Sequence, residues 1–234
     1  MDVLHNRKML RESFQQELDS ASREALDLGQ EVGELLEVMG GAIETREPLT
    51  PGESPGRRAR LKQRGAEIEE RCLILQARQA PVARDLRLLG SVRAVAEHAV
   101  RAGALCEHTL QTFSGTEDGP WEESPDDAIP EMARRAAWIF REALATFDSR
   151  DPDRGRRLQA EDDRVDLLYD RVMSSLASSG ETVPCGRSVR TALAAHYLER
   201  IADHGVGIGA CTVYLVTGEQ RGETPGQHRR RRAR

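Results

Sequence analysis

From Leu4 to Glu44 apolar residues recur at steps of three and four through Leu10, Phe14, Leu18, Ala21, Ala25, Leu28, Val32, Leu35, Leu36 and Met39, and no proline interrupts them. At about 3.6 residues per turn this run forms one rod of roughly ten turns with a single apolar stripe. Such a rod cannot cover its own stripe. It needs neighbours of similar length lying alongside, and connections that turn the chain back on itself. Composition points the same way: aromatic residues make up only 4% of the chain, which contains few β-branched runs, so a sheet has little to build on. The sequence predicts an all-α protein.

The rest of the chain supplies the neighbours. Glu47 to Gly56 holds Pro48, Pro51, Gly52 and Pro55 and reads as a loop; helices follow from Arg57 to Arg78 and from Val82 to Phe113, with Pro81 near the break or in the first turn. Residues 114–130 are rich in Gly, Pro, Glu and Asp and form the best boundary in the sequence. Beyond it the order repeats, with helices from Glu131 to Asp148, from Asp153 to Ser178 and from Arg187 to Leu215. Three helices, a linker and three helices make an internal duplication. The expected domains are a first three-helix bundle at 1–113, a linker at 114–130, a second bundle at 131–217 and a disordered Arg-rich tail at 218–234.

Several function classes fall away on composition. A net charge of -5 gives no global nucleic-acid signature. The tail ends in Arg229-Arg230-Arg231-Arg232-Ala233-Arg234, which suits an unspecific, salt-sensitive contact with nucleic acid or anionic lipid. No aromatic residues interleave it for base stacking, so a solvated end is the expectation. The N-terminus lacks the apolar core of a signal peptide, and no stretch approaches the roughly 18 apolar residues of a membrane span. A cytoplasmic protein is expected. Cys72, Cys106, Cys185 and Cys211 form no C-x-x-C, and the helical Cys72, Cys106 and Cys211 read as small buried hydrophobes.

Two acidic pairs carry the chemistry. Glu199 and Asp203 lie one turn apart on the last helix, and Asp162 and Asp166 lie one turn apart on the helix before it. One such pair is ordinarily a solvated face. Two pairs on neighbouring antiparallel helices can converge, and four carboxylates gathered together suit a hard or borderline cation. His196, three residues before Glu199, can add a nitrogen ligand, orient a carboxylate or simply pack. His204 lies about 100° round the helix from Asp203 and need not face a metal. Asp163 and Asp170 read as surface charges or outer partners. Asp85 reads as a partner of its own helix N-terminus.

The same residues carry a resemblance. Tyr197-Leu198-Glu199-Arg200-Ile201-Ala202-Asp203-His204 resembles the E-R-I-x-D-H segment of the PhoU family of phosphate-signalling proteins. Gln79-Ala80-Pro81-Val82-Ala83-Arg84-Asp85-Leu86-Arg87 resembles that family's Q-P-V-A-x-D-L-R segment. The resemblance implies two tandem three-helix bundles and a cytoplasmic, often dimeric adaptor. Such an adaptor negatively regulates phosphate-specific ABC transport and the phosphate-responsive two-component system. Its implied partners are the ATPase subunit of the phosphate ABC transporter, a sensor histidine kinase and a second copy of the chain in a homodimer. It also implies a metal ion, iron or zinc before magnesium, held by Asp162, Asp166, Glu199 and Asp203. When the first half is laid on the second, Arg58 falls on Asp162, Lys62 on Asp166, Val100 on Glu199 and Ala104 on Asp203. Those four residues cannot hold a cation, and the first repeat is expected to be degenerate.

Alternatives remain at this stage. A metal-binding bundle with another partner fits the same pattern. A ferritin-like di-iron enzyme needs Glu-x-x-His on each of two helices, which the sequence does not supply, so a regulator without catalysis is expected. A surface binder would work through the Arg tail.

Overall fold

The computed structural model describes residues 2–45, 54–78, 81–113, 128–178 and 184–219. Among them are six helices and no strand: α1 Asp2–Thr45, α2 Ser54–Arg78, α3 Ala83–Phe113, α4 Ala128–Ser149, α5 Pro152–Ser178 and α6 Cys185–Thr217. The expected all-α architecture of two three-helix units is what the chain forms. Most bounds fall within two residues of the periodicity reading. The exceptions are the starts of α2 and α4, each three residues early: Pro55 and Gly56 lie in the first turn of α2, and Pro130 in that of α4. Proline fits there because the first-turn N–H groups have no intrahelical acceptor. Residues 114–127 of the expected linker, and residues 220–234 of the expected tail, lie outside the described residues.

Each trio packs on itself, and the trios also pack on each other through α1 against α4 and α3 against α6. α2 and α5 rest mainly on the other two helices of their own trios. The buried apolar residues therefore form one cluster drawn from all six helices, including Leu18, Leu36, Leu61, Leu89, Ile139, Phe140, Leu158, Leu198 and Ile201. Cys72 and Cys106 lie in this core, Cys211 is half-buried at its edge, and burial pushes the Cys106 and Cys211 thiols up to about 12.

Two local devices set the second trio. Between α4 and α5 the chain reverses within three residues, with Arg150 in the left-handed region at φ 54°. The Asp151 carboxylate then accepts from the N–H groups of Asp153 and Arg154 at 3.0 Å each, capping α5. These hydrogen bonds hold the Asp151 carboxyl below its usual range. α6 ends at Gly218, φ 78°, whose N–H donates to the Tyr214 carbonyl at 2.9 Å. The left-handed conformation there favours glycine. A Cβ at Gly218 would stand 2.8 Å from the Arg87 guanidinium, which lies over this helix end.

Candidate functional site

The spacing between α5 and α6 is set by glycine. A Cβ on Gly155 would lie 2.8 Å from the Gly209 carbonyl oxygen, and one on Gly209 would lie 2.7 Å from the Leu158 side chain. Only bare backbone allows this approach. Two turns along α5 from Gly155 stands Asp162, 5% exposed, and less than two turns back along α6 from Gly209 stands Asp203. Glu199, one turn further back, is 6% exposed, while Asp166 and Asp203 are half-buried.

Asp162 registers the crowding. Burial is the first cause that raises its carboxyl, followed by the charges of Asp203, Asp166, Glu199 and Asp163, and together they push it up to about 8. Members of both helices act on one group, so α5 and α6 bring the acidic positions expected from sequence into one neighbourhood. One Asp162 oxygen accepts from the Gln159 side chain at 3.4 Å, and the other is buried with no hydrogen-bond partner. Carboxylate oxygens are the donors a hard or borderline cation takes, so the residues present fit a metal ion in kind. They do not stand as a ready-made cage: among the described residues no group of three or more His, Cys, Asp or Glu is arranged to hold one.

His196 reaches toward this site, its Nδ1 lying 3.6 Å from Glu199 Oε2. His204 turns away and meets His98 of α3, Nδ1 to Nδ1 at 3.0 Å, across the junction of the two trios. Burial, then the nearby His98 and Arg200, drive the His204 imidazole down to about 3, so the ring is neutral there. Asp163 and Asp170 are exposed. Asp85 sits at the N-terminus of α3, where it accepts from the Val82 N–H at 3.4 Å and from the Arg11 side chain at 3.2 Å.

The first trio presents the reverse chemistry. Arg58 and Lys62 are exposed on α2, and Val100 and Ala104 are half-buried on α3. Deeper in, α3 carries Glu107, buried and raised by desolvation against the lowering influence of Arg58 and Arg57. Sequence reading passed over Glu107, His98 and the glycines that fix the α5–α6 distance. The run Gly205-x-Gly207-x-Gly209 was the available signal, because glycine inside a helix costs about 1 kcal/mol and needs a packing reason.

Comparison with known proteins places this arrangement. The PhoU domain model matches residues 129–212, which span α4, α5 and most of α6. A Mycobacterium bovis protein described as phosphate-specific transport system accessory protein PhoU homolog 1 is 31% identical over 161 residues, 65% of this chain and 70% of that one. The chain belongs to the PhoU family. A Synechocystis PhoU homolog with the same accessory-protein description is 28% identical over 211 residues, 90% of this chain and 94% of its own. The crystal structure of the phosphate transport system regulatory protein PhoU from Streptococcus pneumoniae superposes with a TM-score of 0.78 at 20% identity, over 90% of this chain and all of that one. PhoU from Pseudomonas aeruginosa gives a TM-score of 0.72 at 22% identity, covering 88% and 100%. These two superpositions establish the PhoU fold for both trios, including the first, which the domain model does not reach.

Proposed function

We propose that this PhoU-family chain is a regulatory accessory of phosphate-specific transport, acting as a cytoplasmic adaptor. It restrains the phosphate ABC transporter through the ATPase subunit and restrains the phosphate-responsive two-component system through the sensor histidine kinase. The observation that carries this reading is the likeness to a phosphate-transport accessory protein along 90% of the chain, through both trios. The architecture agrees with such work: long helical faces offer contact area for partners. No described helix is long and apolar enough to cross a membrane.

In this reading Asp162, Asp166, Glu199 and Asp203 hold a metal ion, iron or zinc before magnesium, with His196 near enough to Glu199 to steer it. The ion would place positive charge among carboxylates that otherwise raise one another. The residues around it bind and orient: Asp162 offers an oxygen with no hydrogen-bond partner, and the Gly155–Gly209 contact keeps α5 and α6 close.

The regulatory and metal claims are tested separately. Deleting the gene should leave phosphate-starvation genes expressed in high phosphate; normal repression in the deletion strain refutes the regulatory role. Pull-down of the transporter ATPase or the kinase with the intact protein identifies which partner is engaged. For the metal, Glu199→Ala with Asp203→Ala should lose most of the bound metal of the purified wild type while keeping its helical circular dichroism, because two ligands go and the repulsion they exert on Asp162 goes with them. Equal metal in the two preparations refutes the site.

A further inference from the structure

The α5–α6 groove with its acids has a counterpart in the first trio, the outer groove between α2 and α3. Two contacts set the helices against each other there: a Cβ on Gly65 would lie 2.7 Å from the Val100 side chain, and Glu69 pairs with Arg93. Helical spacing carries these two rows to both ends of the groove. On α2, Lys62 and Arg58 lie three and seven residues before Gly65, and Leu73 lies four after Glu69. On α3, Leu86 lies seven residues before Arg93, and Val82 a further four. From Arg58 to Leu73 the groove runs about 22 Å.

The two ends differ in chemistry. At one, Leu73, Val82 and Leu86 are 48%, 53% and 46% exposed, an apolar patch that no described helix covers. At the other, Arg58 and Lys62 are exposed, and no described acid forms an ion pair with either. The acids along the rows, Glu69 and Glu97, are held by Arg93 and Arg101. Glu107, on which Arg58 acts, is buried. A free anion or a nucleic acid would match the cations and leave the apolar end unmatched. An amphipathic helix of about 15 residues matches both ends when its apolar anchors lie on the leucines and its carboxylates reach the cations. Residues 114–127 of the chain itself are too short to do this. They leave α3 at Phe113, about 40 Å along that helix from Leu86, and rejoin at Ala128, which the Glu44–Arg134 pair sets at the same end. Out and back, they reach at most about 25 Å from it.

The geometry points to the outer α2–α3 groove as the docking site of an acidic amphipathic helix from a protein partner, apolar residues on Leu73, Val82 and Leu86, carboxylates at Arg58 and Lys62. The α5–α6 groove carries the partner's own sign of charge and repels the same segment, so the duplication itself supplies the discrimination. This docking adds the chemistry of the partner segment to the adaptor reading and does not depend on which protein carries it.

Photo-crosslinking of the full chain in its own cells tests it. Benzoylphenylalanine in place of Leu86 should capture a protein segment that mass spectrometry reads as helical in pattern, apolar at the captured end and acidic beyond it. R58E/K62E should cut that capture about tenfold with unchanged circular dichroism, since both side chains are exposed and reversal turns attraction into repulsion. Capture no greater than from benzoylphenylalanine at the exposed Val38 of α1 overturns the proposal. So does capture of lipid, of residues 114–127 or of a second copy, and so does capture indifferent to R58E/K62E. Failure of the phosphate reading looks different: the acidic segment is captured, and it belongs to neither the transporter ATPase nor the kinase. Conversely, a pull-down of either protein that R58E/K62E leaves unchanged keeps that reading and rejects the groove.

Discussion

Asp162 shows how a single residue can register the crowding of acids from two helices. In an unfolded chain its carboxyl would ionise near the ordinary aspartate value of 3.8; in the fold, burial and the facing acids move it to about 8. A raised folded value means that the neutral form is favoured by folding. The associated stability is complete below pH 3.8, declines as pH rises and is gone above about pH 8. Metal-free protein should therefore melt progressively lower between those pH values, and Asp162→Asn should flatten that part of the curve and melt higher than wild type at pH 8. Thermal melts in chelator across the range check this; parallel curves for the two proteins would show that Asp162 does not titrate there. Metal should reverse the order at pH 8, since it binds the charged form and Asn is the poorer ligand. The acidic pairs were legible because a one-turn spacing is written directly in residue numbers. Burial of Asp162 and Glu199 beside half-exposed Asp166 and Asp203 was not, because it depends on which side of α5 and α6 the other helices cover.

Helices α5 and α6 meet where neither has a side chain, and that contact can be altered without touching a carboxylate. Gly155→Ala sets a methyl group against the Gly209 carbonyl, a backbone atom that cannot rotate aside. The helices must separate, at a cost of about 1–3 kcal/mol, and metal uptake should weaken with them. Gly90→Ala on α3 is the matching control: its Cβ meets nothing within 4 Å, so the gain in helix propensity should stabilise by about 0.5–1 kcal/mol. Chemical denaturation of the two variants separates the cases, and equal effects would show that the Gly155 contact has no energetic weight. Helix positions themselves were read within a few residues from periodicity alone, as the unbroken stripe of α1 illustrates. The starts of α2 and α4 lie earlier than periodicity places them, because Pro55 and Pro130 end the apolar pattern yet serve as first-turn residues.

For the whole molecule the decisive feature is that the two trios share one core. Phe140 of α4 is fully buried, and a Cβ on Gly205 of α6 would sit 3.1 Å from the Phe140 backbone. His98 and His204 join α3 to α6 across the same junction. Phe140→Ala should cost about 3–5 kcal/mol, and because the core is continuous it should lower the melting of both trios together. Hydrogen exchange resolved by segment would show this; loss of protection confined to α4–α6 would mean that the trios unfold as separate units. Sequence by itself determined the helical class, the three-and-three order, the family and the acidic quartet, since all of these rest on spacing along one chain. The tertiary structure alone decided that α3 and α6 join the halves and that glycines draw α5 onto α6. It alone also left Trp138 and Val38 outside the core, because burial belongs to pairs of surfaces and no periodicity within one helix says which neighbour will cover it.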